Sequence, residues 1–184
     1  MSDRISTIID AAARMFSRYG YAKTTMGDIA VDAGVARQTV YNAFSSKDDV
    51  LRAVVRSVGL TTMTEVKEAW KSSDNLGERF RLFQELGPVR WFETVQAAPD
   101  SSALIDGLHS AAAEALAEME AAWHHELCII IDASDTASSR ATVQEVVEFF
   151  YSASINAKHG TDDVEHLRRR LKTIRDAALA LLDR

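Results

Sequence analysis

A chain of 184 residues with 47% hydrophobic and 26% charged side chains has the balance of a soluble globular protein, in one sizeable domain or a small domain joined to a larger one. No apolar run is long enough for a bilayer span, the start at Asp3 and Arg4 lacks the pattern of a secretory leader, and the single cysteine, Cys128, excludes an internal disulfide framework. The net charge of −6 is unlike that of a basic nucleic-acid binder, yet it lies wholly beyond residue 50. Up to that point Arg4, Arg14, Arg18, Lys23, Arg37 and Lys47 balance Asp3, Asp10, Asp28, Asp32, Asp48 and Asp49. A cytoplasmic protein with no membrane partner is expected.

Only 2 prolines and 8 glycines interrupt the chain, so helices are favoured throughout. Residues 4–19 place Ile5, Ile8, Ile9, Ala12 and Phe16 on one stripe, with Ser2 or Asp3 to cap the start and Gly20 to supply a left-handed stop. A short helix begins after Thr25, faces Ile29, Ala30 and Ala33 inward and stops at Gly34. A third covers residues 37–43. Ser46 caps a long fourth helix that begins near 47, with Asp48 and Asp49 in its first turn, and runs to Lys71. After the polar break at residues 72–75 a fifth segment starts near Leu76, and Gly87-Pro88 must end or kink it. Residues 103–132 form a long central helix, and residues 136–158 and 162–183 form two more, joined at His159-Gly160. The fold class is all-α, with a three-helix helix-turn-helix domain over 1–48 and a helical ligand-binding and dimerisation domain over 49–184.

Two short helices joined by a tight glycine turn, followed by a long helix, make the helix-turn-helix arrangement. Gly34 gives the turn its positive φ, Ala30 and Ala33 allow close approach, and Val35 plugs the angle between the helices. Val40 and Phe44 turn inward on the third helix, which leaves Arg37, Gln38, Thr39 and Asn42 outward with Tyr41 at the edge. Arginine pairs with guanine and glutamine or asparagine with adenine in the major groove, while threonine and tyrosine hydroxyls reach phosphates. Lys47, at the start of the fourth helix, is placed for a phosphate.

These residues resemble the tetracycline-repressor (TetR) family. The resemblance runs through Phe16, Tyr19-Gly20-Tyr21, Thr24-Thr25, Ile29-Ala30, Ala33-Gly34-Val35, Thr39, Tyr41, Phe44, Ser46-Lys47 and Leu51. It covers about residues 5–55 without a gap. It implies a homodimeric regulator that binds a double-stranded DNA operator, in most members a repressor released by a small-molecule effector. It also implies phosphate roles for Thr25, Tyr41 and Lys47, and base or backbone contacts for Arg37, Gln38, Thr39 and Asn42. Ala36 departs from the pattern where serine often caps the recognition helix, and Gln38 replaces a frequent glycine.

In the C-terminal half, Val164, Leu167, Leu171, Ile174, Ala178 and Leu181 make a seam on the last helix, and Val143, Val147 and Phe150 a similar stripe on the one before. Together, with Val146 as the alternative to Val147 and with Ser154 on the same stripe, they predict a four-helix dimer interface, although both stripes also fit facing the chain's own core. The effector pocket is expected among Phe83, Trp91, Phe92, His109, Met119 and Trp123, although aromatic residues at helical spacing also fit a plain core. Glu120, His124, His125 and Glu126 lack the spacing of a zinc site. Cys128 has no basic neighbour to activate it, and no catalytic motif is present. Neither a cofactor nor enzymatic activity is expected. The alternative reading is a helical ligand carrier or interaction protein that keeps the helix-turn-helix as scaffold.

Overall fold

The computed structural model describes residues 3–96, 110–133 and 141–183, and every regular element among them is helical. In chain order these are α1 Asp3–Tyr19, α2 Met26–Asp32, α3 Arg37–Ala43, α4 Lys47–Trp70, α5 Leu76–Gln84, a π-helical turn Glu85–Val89, α6 Arg90–Gln96, α7 Ala113–Asp132, α8 Val143–Asn156 and α9 Val164–Leu182. Among the described residues, no helix is long and apolar enough to cross a membrane. They divide into two compact units, one within Met1–Leu60 and Val95–Met119, the other within Thr61–Thr94 and Glu120–Arg184. The predicted domain boundary at 48/49 falls inside the first unit, because the opening turns of α4, with buried Val50, Leu51 and Val54, belong to it.

In the first unit α1 buries Ile8, Ile9, Ala11, Ala12 and Phe16, with Ile5 only half-buried. Gly20 ends it at φ 81° and donates its N–H to Phe16 O at 3.0 Å. Helix α2 starts on a capping box in which Thr25 Oγ1 accepts from Asp28 N and the Asp28 carboxylate accepts from Thr25 N. It stops on a Schellman motif: Val35 N donates to Ala30 O at 3.0 Å and Gly34 N to Val31 O at 3.1 Å, with Gly34 at φ 65°. Ser46 Oγ accepts from Asp49 N at 3.1 Å and so caps α4 as expected. Further along α4, Arg52 donates to Ala111 O at 3.1 Å and Arg56 forms a bidentate pair with Glu118 at 2.6 and 2.8 Å. Gly59 lies where a Cβ would meet Met119 Sδ at 2.5 Å, so a side chain here would have to displace that methionine.

The second unit is built around aromatic packing. Its main core gathers Met63, Val66, Trp70, Leu76, Phe80, Phe83, Trp123, Leu127, Val146, Val147 and Phe150, among others. Phe80 stacks on Phe150 with centroids 4.0 Å apart, and Phe83 meets Trp123 edge-on at 4.9 Å. A smaller cluster joins Val89, Phe92, Ala157, Leu167 and Leu171. Gln84 is buried yet fully paired: its amide nitrogen donates to Ser154 Oγ and Leu171 O, and its oxygen accepts from Arg175. Of the two outcomes the sequence allows at Gly87-Pro88, an end or a kink, the helical run does not end. The chain widens into the π-helical turn, where Arg90 N reaches back to Glu85 O, and continues as α6. The wider ring accommodates the donor that proline lacks.

Candidate nucleic-acid interface

Helix α3 buries one residue, Val40, and turns the rest of its surface outward. Arg37, Gln38, Tyr41 and Asn42 are exposed and Thr39 is half-exposed, as the spacing predicts. The exposed side chains are ordered in pairs one turn apart. Arg37 Nη2 donates to Tyr41 Oη at 3.2 Å and its guanidinium carbon sits 5.4 Å from the Tyr41 ring centre. Gln38 Nε2 donates to Asn42 Oδ1 at 2.9 Å. The bond to Tyr41 also raises the Arg37 pKa, so the cation is held at every accessible pH. One guanidinium and one carboxamide are thus each held by a neighbour one turn on, groups of the types that can pair with guanine and adenine edges. The N-cap, Ala36, makes no side-chain cap bond, and Thr39 N donates to Ala36 O at 2.8 Å instead.

The two other predicted contacts are placed differently. The Thr25 hydroxyl is exposed, but it donates to Asp28 Oδ2 at 2.7 Å. A phosphate would have to take that proton from a carboxylate, one that its bonds to Thr25 hold below the ordinary aspartate range. Lys47 turns inward. Its Nζ donates to Tyr21 O at 2.8 Å, to Thr24 O at 3.1 Å and to Ala22 O at 3.5 Å, and lies 4.2 Å from the Tyr21 ring centre. Sequence spacing alone gives no hint of this, because the carbonyls are brought to Lys47 by the turn between α1 and α2.

The predicted effector residues do not converge. Phe83 and Trp123 touch in the main core of the second unit, whereas Phe92 belongs to the smaller cluster. Met119 lies in the first unit against Gly59, Trp91 is half-buried, and His109 lies outside the described residues. A residue that no spacing singles out, Tyr151, does meet Phe83. Tyr151 lies 6.1 Å from it, and His124 packs edge-on to Tyr151 at 5.0 Å with a buried Nε2 that has no hydrogen-bond partner. Among the described residues no group of three or more side chains is arranged to hold a metal ion.

The predicted dimer stripe also requires correction. Val147, Phe150, Leu167 and Leu171 are buried in the subunit's own clusters, and Val143, Val164, Ile174 and Leu181 pack against those clusters. The four buried residues close the core of the second unit, where Phe150 meets Phe80 and Phe83, while Val143, Val164, Ile174 and Leu181 keep part of their surface exposed. The opposite face of α8 carries Phe149, 39% exposed, and a shallow groove lined by Glu145, Glu148, Ser152, Ala153 and Asn156.

A capped short helix, a Schellman turn and a second helix with paired, exposed polar side chains make a helix-turn-helix. Residues 8–54 match the sequence model of bacterial regulatory proteins of the tetR family. It is 39% identical over 69 residues to a probable HTH-type transcriptional regulator, ArpR, of Pseudomonas putida, a match covering 38% of this chain and 32% of that protein. It is 31% identical over 107 residues to the HTH-type transcriptional repressor LfrR of Mycolicibacterium smegmatis, covering 54% of this chain and 56% of the repressor. These matches thus span between about a third and about half of the relatives' length. The fold as a whole is similar to that of a TetR transcription regulator from Haloarcula marismortui, with a TM-score of 0.78 at 20% identity over 98% of this chain and 99% of the other.

Proposed function

We propose that the chain is a cytoplasmic, homodimeric regulator that represses transcription by occupying a DNA operator and leaves it when a small-molecule effector binds. The observation that carries this reading is the outward face of α3, where Arg37 and Gln38 are held by Tyr41 and Asn42 at the end of the helix that enters the groove. Two copies are needed to address half-sites about 34–36 Å apart. The α8 face bearing Phe149, Ser152 and Ala153 supports that pairing, since an exposed aromatic among small side chains suits close helix packing. Effector contact is favoured at Phe83, Trp123, Tyr151 and His124, where a buried ring nitrogen without a hydrogen bond, 3.8 Å from the Glu120 carboxylate, lies beside aromatic rings. An effector that prefers one of two dimer states would shift the population away from the operator-competent state by its difference in affinity.

Selection of duplexes from a random pool tests the reading, with Arg37→Ala run in parallel. Recovery of a palindromic site by the parent, and its loss or relaxed sequence at one base pair in Arg37→Ala, is the expected result. A dimer that selects no sequence at moderate salt overturns operator binding and leaves the ligand-carrier reading in its place.

A further inference from the structure

Lys47 occupies the position that the family resemblance gives to a phosphate contact. We infer instead, on the reading that this chain binds DNA, that Lys47 is a positioning residue that latches the start of α4 to the turn between α1 and α2 and so fixes the angle of α3. An ammonium has three protons, and three backbone carbonyls stand around this one: Tyr21 O at 2.8 Å, Thr24 O at 3.1 Å and Ala22 O at 3.5 Å. The Tyr21 ring lies under the charge at 4.2 Å, packs against Phe16 at 5.4 Å, and its hydroxyl donates to Asp48, the residue after Lys47. Thr24, 1% exposed, closes the same turn by donating to Gly20 O at 2.8 Å.

Residues 21–24 precede α2 and Lys47 follows α3, so this one ammonium fastens the two ends of the helix-turn-helix to each other. An ammonium that left for a phosphate would give up charge-assisted bonds to partly buried carbonyls and the face of Tyr21. In exchange it would gain a single contact that salt screens. The balance favours the latch, and the phosphate-facing charge falls to other side chains.

The experiment uses the full chain, a duplex selected by the parent from random sequences, and a scrambled duplex, with affinity measured from about 50 to 200 mM salt. A positioning role predicts that Lys47→Met weakens the selected duplex by about tenfold or more, leaves the scrambled duplex unchanged and keeps the parent's slope of log affinity against log salt. Tyr21→Phe, which keeps the ring but frees Asp48, gives a smaller loss with the same slope. A slope that falls by about 0.9, one phosphate's worth, with equal loss on both duplexes overturns the proposal. If Lys47→Met fails to fold, Tyr21→Phe decides alone: an unchanged affinity for the selected duplex overturns the latch. A parent that selects no duplex ends the DNA-binding reading and the latch with it, an outcome distinct from any change in slope.

Discussion

The two units of this chain are held together in different ways. The first depends on polar devices, most of them short-range: a capping box at Thr25, a Schellman turn at Gly34 and hydrogen bonds one turn apart on α3, with the longer-range bonds of Lys47 to the turn before α2 beside them. The second depends on long-range packing of aromatic rings from α5, α7 and α8 around Phe83 and Phe150. A DNA reader has to display its side chains in a fixed outward geometry. Local hydrogen bonds achieve that without a large core. The second unit must bury enough apolar surface to stand on its own, and its contacts come from residues far apart in sequence.

The three tryptophans, Trp70, Trp91 and Trp123, all lie in the second unit, so intrinsic fluorescence reports on it alone while DNA binding reports on the first. The largest expected effect breaks the aromatic core. Phe150→Ala removes a fully buried ring stacked on Phe80 and facing Phe83. It should cost about 3–5 kcal/mol in denaturant unfolding followed by fluorescence. A loss that appears only as weakened dimerisation, with subunit stability intact, would show that Phe150 faces a partner after all.

Gly34→Ala comes next. At φ 65° an added Cβ meets nothing within 4 Å, so the cost is backbone strain alone, about 1–2 kcal/mol. The angle between α2 and α3 should shift as well. Loss of operator affinity in proportion to the stability change would mean that the turn does no more than hold the fold, whereas a larger loss would show that it sets the angle.

The capping boxes allow a matched comparison, because Thr25 with Asp28 stands in the first unit and Thr142 with Glu145 in the second. Thr25→Ala and Thr142→Ala should each cost about 0.5–2 kcal/mol. Both carboxylates are held below their ordinary range by hydrogen bonds to their threonines, so this stability is present above that range and is lost as pH falls through the lowered values. Only Thr25→Ala should also reduce DNA affinity. Equal DNA losses in both variants would argue that capping acts through global stability.

The contrast between the units also explains what could be read from the sequence. Gly20, Gly34, Ser46 and the outward run of α3 are determined by residues a few positions apart, and periodicity finds them. The contacts of Lys47 are not legible in the same way, because its partners sit at residues 21–24, more than twenty positions away, brought there by the fold. The stripe through Val147, Phe150, Leu167 and Leu171 was rightly seen as apolar, but amphipathicity gives a buried face without saying what buries it. Tyr151 and His124 were missed as a pair because their contact joins α7 to α8, and no local spacing encodes it.

The smallest expected effect compares two tyrosines. Tyr21 in the first unit and Tyr151 in the second are each pushed up to about 12 from an ordinary 10.0, chiefly by burial, with Asp48 adding to it at Tyr21 and Glu120 at Tyr151. Each phenol stays neutral in the folded chain where it would ionise in the unfolded one. Its contribution to stability is therefore complete below pH 10 and is lost as pH rises toward 12. Tyr151→Phe should flatten the alkaline change in fluorescence and leave DNA binding alone. Tyr21→Phe should leave the fluorescence profile unchanged and flatten only the alkaline loss of helix in circular dichroism. If Tyr21→Phe alters the fluorescence profile instead, ionisation in one unit unfolds the other, and the two would have to be treated as a single cooperative body.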